Sequence, residues 1–325
     1  MLQTLLLPMT YGLLLFLCGM KIMEKALGRW AGPLLSRWLG HATASPLRGL
    51  IFSSALTAIL QSSTAVTVIT IGMVNAGLLS YARSLGIILG SNIGTCLTTE
   101  LISLQIGELA VPLLIISITL WSAAIIYQEF YQAALPRISR YIKSLQYLSV
   151  ALLGFSLILL GIRVMQSIGP ALQKLGLFNW FIEQAAHNVL WGVAAGICLT
   201  ALMHSSAAVI GLAMGLAGSG ALPIEIGMAI VLGSNVGTCV TALLASVGGS
   251  RGGRFVAWSH IVLNVSGALL FLPFISQLQA LSELLSPHYS TQIAHAQTIF
   301  NVVCSLLALP LCYLPIWRRG EQKSI

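Results

Sequence analysis

Charged side chains are scarce in this sequence. Only 7% of its 325 residues are Asp, Glu, Lys or Arg, while 57% are hydrophobic. Soluble globular proteins carry about 25% charged residues, so this chain lacks the polar surface of a cytosolic enzyme, a disordered protein or a nucleic-acid-binding protein. The excess of Lys and Arg over Asp and Glu, which gives a net charge of +8, therefore does not indicate an acidic partner. We expect an integral membrane protein in contact with lipid.

Motifs for metal binding and secretion are also missing. The six cysteines lie in apolar runs without the spacing of metal ligands, so we expect them to be small packing residues. We predict no cofactor, no resident metal and no catalytic residue. Basic residues follow the first apolar run instead of preceding it, which argues against a cleavable signal peptide.

Long apolar runs dominate what is present. Seven are long enough, at about 20 residues, to cross a membrane: residues 4–24, 81–103, 109–128, 146–166, 224–245, 255–274 and 290–314. The sequence thus predicts an all-α, polytopic membrane protein with about seven transmembrane helices. Two amphipathic connectors, residues 27–46 and 170–186, are expected to lie at the membrane interface.

Two further apolar stretches, residues 47–79 and 188–222, are interrupted by polar residues at their centres. The interruptions are Gln61-Ser62-Ser63-Thr64 and His204-Ser205-Ser206. Both stretches are shorter than the roughly 40 residues that two full spans need. We therefore predict two re-entrant hairpins with the polar residues at their tips, where irregular backbone must be buried in protein or line a wet cavity.

Basic residues sort to one side of this arrangement. If the first helix runs inward, fourteen of the sixteen Lys and Arg residues lie on the cytoplasmic side, and the exceptions are Arg163 and Lys174. This distribution follows the positive-inside rule. It predicts an external N-terminus and a cytoplasmic C-terminus. No Lys or Arg is expected at the centre of a span, because Lys21 and Arg163 lie near the predicted helix ends.

The sequence repeats itself with a shift of 143 residues. Residues 57–66 (TAILQSSTAV) align with residues 200–209 (TALMHSSAAV), and residues 90–98 (GSNIGTCLT) align with residues 233–241 (GSNVGTCVT). Each unit has a helix, a connector, a hairpin and two helices, hence three crossings, so the second unit is inverted. We divide the chain into a first repeat (1–142), a second repeat (143–275) and a C-terminal helix with a cytoplasmic tail (276–325). Inverted repeats with interrupted helices are typical of secondary transporters that bind substrate at mid-membrane.

The hairpin tips have the chemistry of an anion site. A half-helix that begins at each tip presents free N–H groups and a partial positive charge, and the serine hydroxyls can cap the helix or donate to a ligand. Plain helix capping explains one serine at each tip, but not two. The candidate substrate-binding residues are Gln61, Ser62, Ser63, Thr64, His204, Ser205 and Ser206. His204 either contacts substrate, with a possible response to protons, or replaces the hydrogen bond that glutamine makes in the other copy.

The helix after each hairpin carries hydroxyls and amides, whose oxygens suit a hard cation. Alternatively, each hydroxyl donates a hydrogen bond to a backbone carbonyl of its own helix. Glu100 is interpreted as a boundary residue, with cation binding as the alternative. Because no basic residue is expected in the core, co-bound cations would neutralise a bound anion there.

These motifs resemble the type II sodium–phosphate cotransporter family, including its short bacterial members. The paired Gln-Ser-Ser and Gly-Ser-Asn-Ile-Gly-Thr segments carry the resemblance, which covers about residues 10 to 270. It implies inward phosphate transport driven by Na⁺ across a bacterial inner membrane, with a tip residue, Gln61, also at a Na⁺ site. The candidate sodium ligands are thus Gln61, Ser91, Asn92, Thr95, Ser234, Asn235 and Thr238. His204 departs from the usual glutamine, Ala207 departs from the usual serine, and the soluble regulatory domain of some bacterial members is not expected.

The leading hypothesis is therefore Na⁺-coupled phosphate symport by alternating access, with inorganic phosphate and Na⁺ as ligands and membrane lipid as surroundings. An exporter or channel for phosphate or another small anion on the same fold is the alternative. An intramembrane serine hydrolase using His204, Ser205 and His260 fits less well, because only one copy of the motif has a histidine. The sequence leaves homo-oligomer formation open.

Overall fold

The computed structural model describes residues 6–104, 106–131 and 139–317. Within these ranges the chain forms α-helices, short 3-10 segments and turns, without a strand. The helices are α1 (Leu7–Ala42), α2 (Pro46–Leu60), α3 (Ser63–Asn75), α4 (Tyr81–Ser103), α5 (Ala110–Tyr131), α6 (Ser139–Ser167), α7 (Gly169–Leu172), α8 (Gly176–His187), α9 (Leu190–Met203), α10 (Ser206–Gly218), α11 (Ile224–Gly237), α12 (Cys239–Ser246), α13 (Arg251–Phe271), α14 (Ile275–Leu285) and α15 (Tyr289–Ala308). The 3-10 segments are Ile106–Leu109, Leu272–Phe274 and Leu309–Tyr313.

Seven helical segments of the described part are long and apolar enough to cross a membrane. They are Leu7–Ala31, Tyr81–Ser103, Gly107–Phe130, Tyr141–Ser167, Ile224–Ser246, Arg251–Leu285 and Tyr289–Tyr313. Each coincides with one of the seven predicted runs, so the all-α, polytopic membrane class is confirmed. The helices α2, α3, α9 and α10 are apolar but shorter. Whether these pairs re-enter the membrane stays a prediction.

The first connector differs from the expectation. We predicted an interfacial segment at residues 27–46, but α1 continues without a break from Leu7 to Ala42. The helix passes through Gly32-Pro33, whereas Gly169-Pro170 in the second copy follows the end of α6 and opens the short α7. Proline removes one backbone hydrogen bond, and a membrane helix tolerates this loss where neighbouring groups compensate. Charged residues of α1 therefore lie inside a helix instead of at its end.

Glycines set close contacts between α1 and α6. An added Cβ at Gly19 would lie 2.5 Å from the Gly154 carbonyl oxygen, and one at Gly154 would lie 2.6 Å from the Gly19 carbonyl oxygen. Such contacts require a residue without a side chain and let two membrane helices pack backbone to backbone. Helix α5 also packs on α6.

The same principle holds each short helix pair against the helix that follows it. Gly90 of α4 faces the Leu50 carbonyl of α2, and Gly233 of α11 faces the Val193 carbonyl of α9, with 2.1 Å and 2.0 Å from an added Cβ to the oxygen. Helix α4 is continuous, but its counterpart breaks at Thr238 between α11 and α12. In both copies the first helix of the short pair thus packs closely on the helix that follows the pair.

Helices α13 and α15 make matching contacts with the two aligned cysteines. The Asn264 side chain of α13 donates to Cys239 Sγ, and the Asn301 side chain of α15 donates to Cys96 Sγ, both at 3.3 Å. Helix α5, which follows α4 in the first unit, instead packs on α6. The C-terminal helix, which the sequence left outside both repeats, therefore packs on α4 as α13 packs on α12. The inverted repeat and its boundaries remain predictions, and the tail after residue 317 lies outside the described residues.

Candidate functional site

Two non-glycine residues of the described chain have a positive φ, and both lie at the predicted tips. Gln61 has φ 55° and His204 has φ 53°. This left-handed backbone ends a helix within one residue at a cost of roughly 1–2 kcal/mol. Strained backbone of this kind often marks functional positions. The chain thus pays the same conformational penalty at both tips.

The next residue restarts a helix at each tip. Ser62 Oγ accepts a hydrogen bond from the Ala65 N–H, and Ser205 Oγ accepts one from the Ala208 N–H, both at 3.3 Å. These are N-cap bonds, which leave the hydroxyl proton available to another acceptor. The amino-terminal ends of α3 and α10 begin at these serines and add partial positive charge.

Both tips line one cavity of about 150 Å³. All seven predicted substrate-binding residues lie in its wall, together with residues of α1, α4 and the α11–α12 junction. The lining residues are Met20, Lys21, Glu24, Gln61, Ser62, Ser63, Thr64, Thr95, Thr98, His204, Ser205, Ser206, Ala207 and Thr238. A cavity of 380 Å³ between α8, α9 and α10 is larger, but its lining is apolar and offers no donors to an anion.

The donors at the two tips are used differently. Ser62 Oγ donates to Glu24 Oε1 at 2.6 Å, whereas Ser205 Oγ faces only the Met20 sulfur at 3.9 Å. Thioether sulfur is a weak acceptor, so the Ser205 proton stays nearly free. Within the described residues no hydrogen-bond partner is found for three further hydroxyls, those of Ser63, Thr64 and Ser206. Tip 1 (Gln61–Thr64) is thus partly occupied, and tip 2 (His204–Ser206) is open.

Gln61 braces tip 1. Its side-chain nitrogen donates to the Ala58 carbonyl, and its side-chain oxygen accepts from Thr98 Oγ1 of α4 at 2.7 Å. His204 holds the equivalent position but is exposed in the cavity and has no hydrogen-bond partner in the described part of the chain. The two residues therefore share a backbone conformation and not a hydrogen-bonding pattern.

The candidate sodium ligands divide into two groups. Gln61, Thr95 and Thr238 line the cavity. Both threonine hydroxyls bond back within their helices, to the carbonyls of Ser91 and Ser234 at 2.9 Å.

The other four candidates, Ser91, Asn92, Ser234 and Asn235, do not line the cavity. Asn92 donates to the Asn264 side chain at 3.0 Å, and Asn235 and Ser91 bond to carbonyls of their own helices. The Ser234 hydroxyl is buried without a partner among the described residues. Their assignment as sodium ligands stays a prediction.

Sequence reasoning missed two charged residues of the site. Lys21 was placed at a helix end, but it lies near the middle of α1 and lines the cavity with Glu24. The Lys21 ammonium lies 2.7 Å from Glu24 Oε2. A carboxylate three residues away lowers the cost of placing a lysine inside a membrane protein. The three-residue spacing of Lys21 and Glu24 was the available signal, but both lie at the end of the predicted run 4–24, where charged residues are expected.

Glu100 lies close to the end of α4 at Ser103, and its role as a boundary residue or a cation ligand stays a prediction. Its Oε1 accepts a hydrogen bond from Thr298 Oγ1 at 2.5 Å and lies 3.1 Å from His295 Nδ1, both on α15. Glu100 does not line the cavity between the tips. Its carboxylate joins α4 to α15.

Comparisons with known proteins give a family and several relatives of this chain. A family profile described as Na+/Pi-cotransporter matches residues 15–167 and 171–287. The chain is 35% identical over 309 residues to the protein YqeW of Bacillus subtilis (strain 168), covering 95% of both chains. No solved structure matches it.

More distant relatives have functional names. The chain is 23% identical over 297 residues to the "Putative inorganic phosphate export protein YjbB" of Escherichia coli (strain K12), covering 91% of this chain and 52% of that protein. It thus spans about half the length of that relative. It is also 35% identical over 101 residues to "Sodium-dependent phosphate transport protein 2A" of Oryctolagus cuniculus, covering 30% of this chain and 15% of that protein.

The profile match extends over most of the chain and includes both tips. The tips, the cavity between them and the spans that position them agree with this match. The chain is an integral membrane protein that belongs to the Na+/Pi-cotransporter family.

Proposed function

We propose that this protein is a Na⁺-coupled symporter of inorganic phosphate that works by alternating access and binds phosphate between its two hairpin tips. The observation that carries the proposal is the shared cavity, because residues 143 positions apart in the sequence converge on one polar space of about 150 Å³. The family membership and the name of the rabbit relative support phosphate and sodium as its ligands.

Phosphate would be held by hydroxyls and helix ends. Ser63, Thr64, Ser205 and Ser206 offer hydroxyl donors, and the first turns of α3 and α10 add N–H groups at the cavity wall. The Lys21 ammonium, also in the wall, adds a positive charge that the sequence-based hypothesis lacked. Hydrogen bonds to a charged acceptor are roughly twice as strong as neutral ones. These groups are sufficient to hold a small oxyanion without an arginine clamp.

Sodium would neutralise the remaining charge of the anion. The side-chain oxygens of Gln61, Thr95 and Thr238 lie in the cavity wall, and helix α9 ends at tip 2 with carbonyl groups that are candidates for cation binding. Moving one net charge across the membrane gains or costs about 2.3 kcal/mol of free energy per 100 mV of membrane potential. Co-transported Na⁺ would therefore supply driving force as well as charge balance.

Export of phosphate is the second candidate, because the Escherichia coli relative is named for export. The same site serves either direction, and the gradients set the net flux. Flux from proteoliposomes under an outward phosphate gradient, with and without Na⁺, separates the two. Na⁺-independent efflux would favour the exporter.

A hydrolase lacks support at the site. Ser205 Oγ has the Met20 sulfur and the Ala208 N–H as neighbours, and within the described residues no histidine nitrogen lies in hydrogen-bond contact with it. A nucleophilic serine needs a base at that distance.

We place the protein in a bacterial inner membrane, with the N-terminus outside and the C-terminus in the cytoplasm.

The proposed function is tested by phosphate uptake into proteoliposomes. Uptake should require an inward Na⁺ gradient, and a Ser62→Ala, Ser205→Ala double variant should lose it while remaining folded. The matched control is Ser117→Ala, Ser156→Ala, which removes two serines that bond back to carbonyls of α5 and α6 away from the cavity. Uptake without Na⁺ dependence would contradict the coupling, and normal uptake by the first double variant would contradict the site.

A further inference from the structure

Glu24 has an unusual position for a membrane carboxylate. It lies on α1 in the wall of the cavity between the tips, and its side chain is 25% exposed. Its two oxygens have different partners: Oε1 accepts from the Ser62 hydroxyl at 2.6 Å, and Oε2 pairs with the Lys21 ammonium at 2.7 Å. A hydroxyl and an ammonium are the donors that a phosphate ion would use at the same place. The carboxylate thus makes the contacts of a bound oxyanion.

Ser62 cannot serve Glu24 and phosphate together. A serine hydroxyl has one proton, and the Ser62 proton goes to Glu24 while its lone pair accepts the N-cap bond from Ala65. Tip 2 has no such occupant, because Ser205 makes the same N-cap bond but faces only a sulfur atom. The aligned serines Ser62 and Ser205 thus differ, because a carboxylate accepts a hydrogen bond from the Ser62 hydroxyl and none does so from the Ser205 hydroxyl.

The second copy has no equivalent acid. A shift of 142 residues, one less than that of the hairpins, pairs the first helix with α6 through Gly19 and Gly161, and it places Gln166 opposite Glu24 and Arg163 opposite Lys21. Gln166 and Arg163 line a separate cavity at the far end of α10, with Gly218 and Ser219. A neutral amide cannot replace an oxyanion. The acidic contact is therefore specific to tip 1.

We propose that the Glu24 carboxylate is a tethered anion that competes with phosphate for the Ser62 hydroxyl and the Lys21 ammonium, so that phosphate binds by displacing it. This inference rests on the proposed function, because it takes tip 1 as part of the phosphate site. Displacement exchanges one set of charge-assisted hydrogen bonds for another, and this exchange keeps the affinity for phosphate moderate. It also couples the entry of phosphate to the release of tip 1 from α1. Release of that contact would free tip 1 to move relative to α1 during transport.

The test is equilibrium binding of radiolabelled inorganic phosphate to the purified full chain. The Glu24→Gln variant removes the competing charge with little change in shape, and it should bind phosphate about tenfold more tightly, the equivalent of one charge-assisted hydrogen bond. Glu183→Gln, which removes an exposed carboxylate of α8, is the matched control and should bind like the wild type. Weaker or unchanged binding by Glu24→Gln would overturn the proposal.

A second pair of variants separates competition from simple charge repulsion. The gain from Glu24→Gln should persist in a Ser205→Ala background and shrink in a Ser62→Ala background, where only the release of Lys21 remains, because Ser62 contacts the carboxylate and Ser205 does not. An equal gain in both backgrounds would show long-range repulsion and refute displacement. Loss of both phosphate binding and its Na⁺ dependence in Glu24→Gln would assign Glu24 as a cation ligand instead.

Thermal unfolding distinguishes competition with phosphate from a purely structural role of Glu24. Glu24→Gln should unfold at a lower temperature without phosphate, yet phosphate should raise its unfolding temperature more than that of the wild type. A smaller phosphate-induced rise would contradict the inference. If the wild-type protein itself fails to bind phosphate, the proposed function fails, whereas normal wild-type binding without the Glu24→Gln gain refutes this inference alone.

Discussion

Replacing Gly90 by alanine should separate α2 from α4 and disable tip 1. An added Cβ would lie 2.1 Å from the Leu50 carbonyl oxygen, which is 1.3 Å short of ordinary van der Waals contact at 3.4 Å. The Ser53 hydroxyl, at 2.0 Å from the added Cβ, could rotate away, but the Leu50 carbonyl belongs to the backbone, so no side-chain rotation relieves that contact. The helices must therefore move apart, or one of them must bend.

The energetic cost follows from the structure. Overpacking a close contact costs about 1–3 kcal/mol, and the gain in helix propensity from Gly to Ala returns about 1 kcal/mol. Separation of the helices also strains the bond from Thr98 Oγ1 of α4 to Gln61 at tip 1, and a lost hydrogen bond costs about 1 kcal/mol. We expect a net loss of about 2 kcal/mol in the free energy of unfolding.

The assay is thermal unfolding in detergent, followed by tryptophan fluorescence, together with phosphate uptake. Gly72→Ala is the matched control, because Gly72 is an exposed glycine of α3 with no heavy atom within 4 Å of an added Cβ. This variant should be as stable as the wild type or more stable. Equal stability and uptake for Gly90→Ala and Gly72→Ala would refute the reasoning about backbone contact.

Three further predictions, which use four substitutions, are tested in the same unfolding assay. Ser62→Ala should destabilise the protein more than Ser205→Ala. Both variants lose an N-cap bond worth about 1 kcal/mol, and only Ser62→Ala also loses a hydrogen bond to a carboxylate, worth about 1.5 kcal/mol. Equal losses of stability in the two variants would contradict the Ser62–Glu24 contact. Glu100→Gln should lower stability by up to about 1 kcal/mol, since its half-buried carboxylate joins α4 to α15; an unchanged unfolding temperature would show that the contact contributes nothing. His260→Leu should raise stability by about 1 kcal/mol, because the buried ring nitrogens have no described partner; a loss of stability would indicate that they bind ordered water.

Much of the fold followed from local sequence patterns. A run of about 20 apolar residues must form a helix in lipid, because its backbone groups have no other hydrogen-bond partner. The seven spans were therefore predictable, and the structure confirms them. The positions of both tips were also predictable, because a polar segment such as Gln61–Thr64 inside an apolar run marks a break.

The contents of the site were less predictable. Lys21 and Glu24 lie in the last residues of the first predicted run, 4–24, and the sequence alone placed Lys21 near a helix end and gave no role to Glu24. The structure continues α1 past them to Ala42 and brings them to the tips. Whether a helix continues past a proline depends on groups of neighbouring helices that compensate for the lost hydrogen bond. A sequence pattern does not show which helices are neighbours.

The sequence by itself thus determined the membrane class, the number of spans and the two serine-rich tips, because these depend on composition and on contacts within a few residues. Tertiary structure alone decided which groups share the cavity, since Ser62 meets Glu24 and Ser205 meets Met20 only where α1 passes both tips. It also decided that α15 packs on α4, through Asn301 and Glu100. Such contacts join residues up to 205 positions apart, and their geometry is fixed by the packing of whole helices.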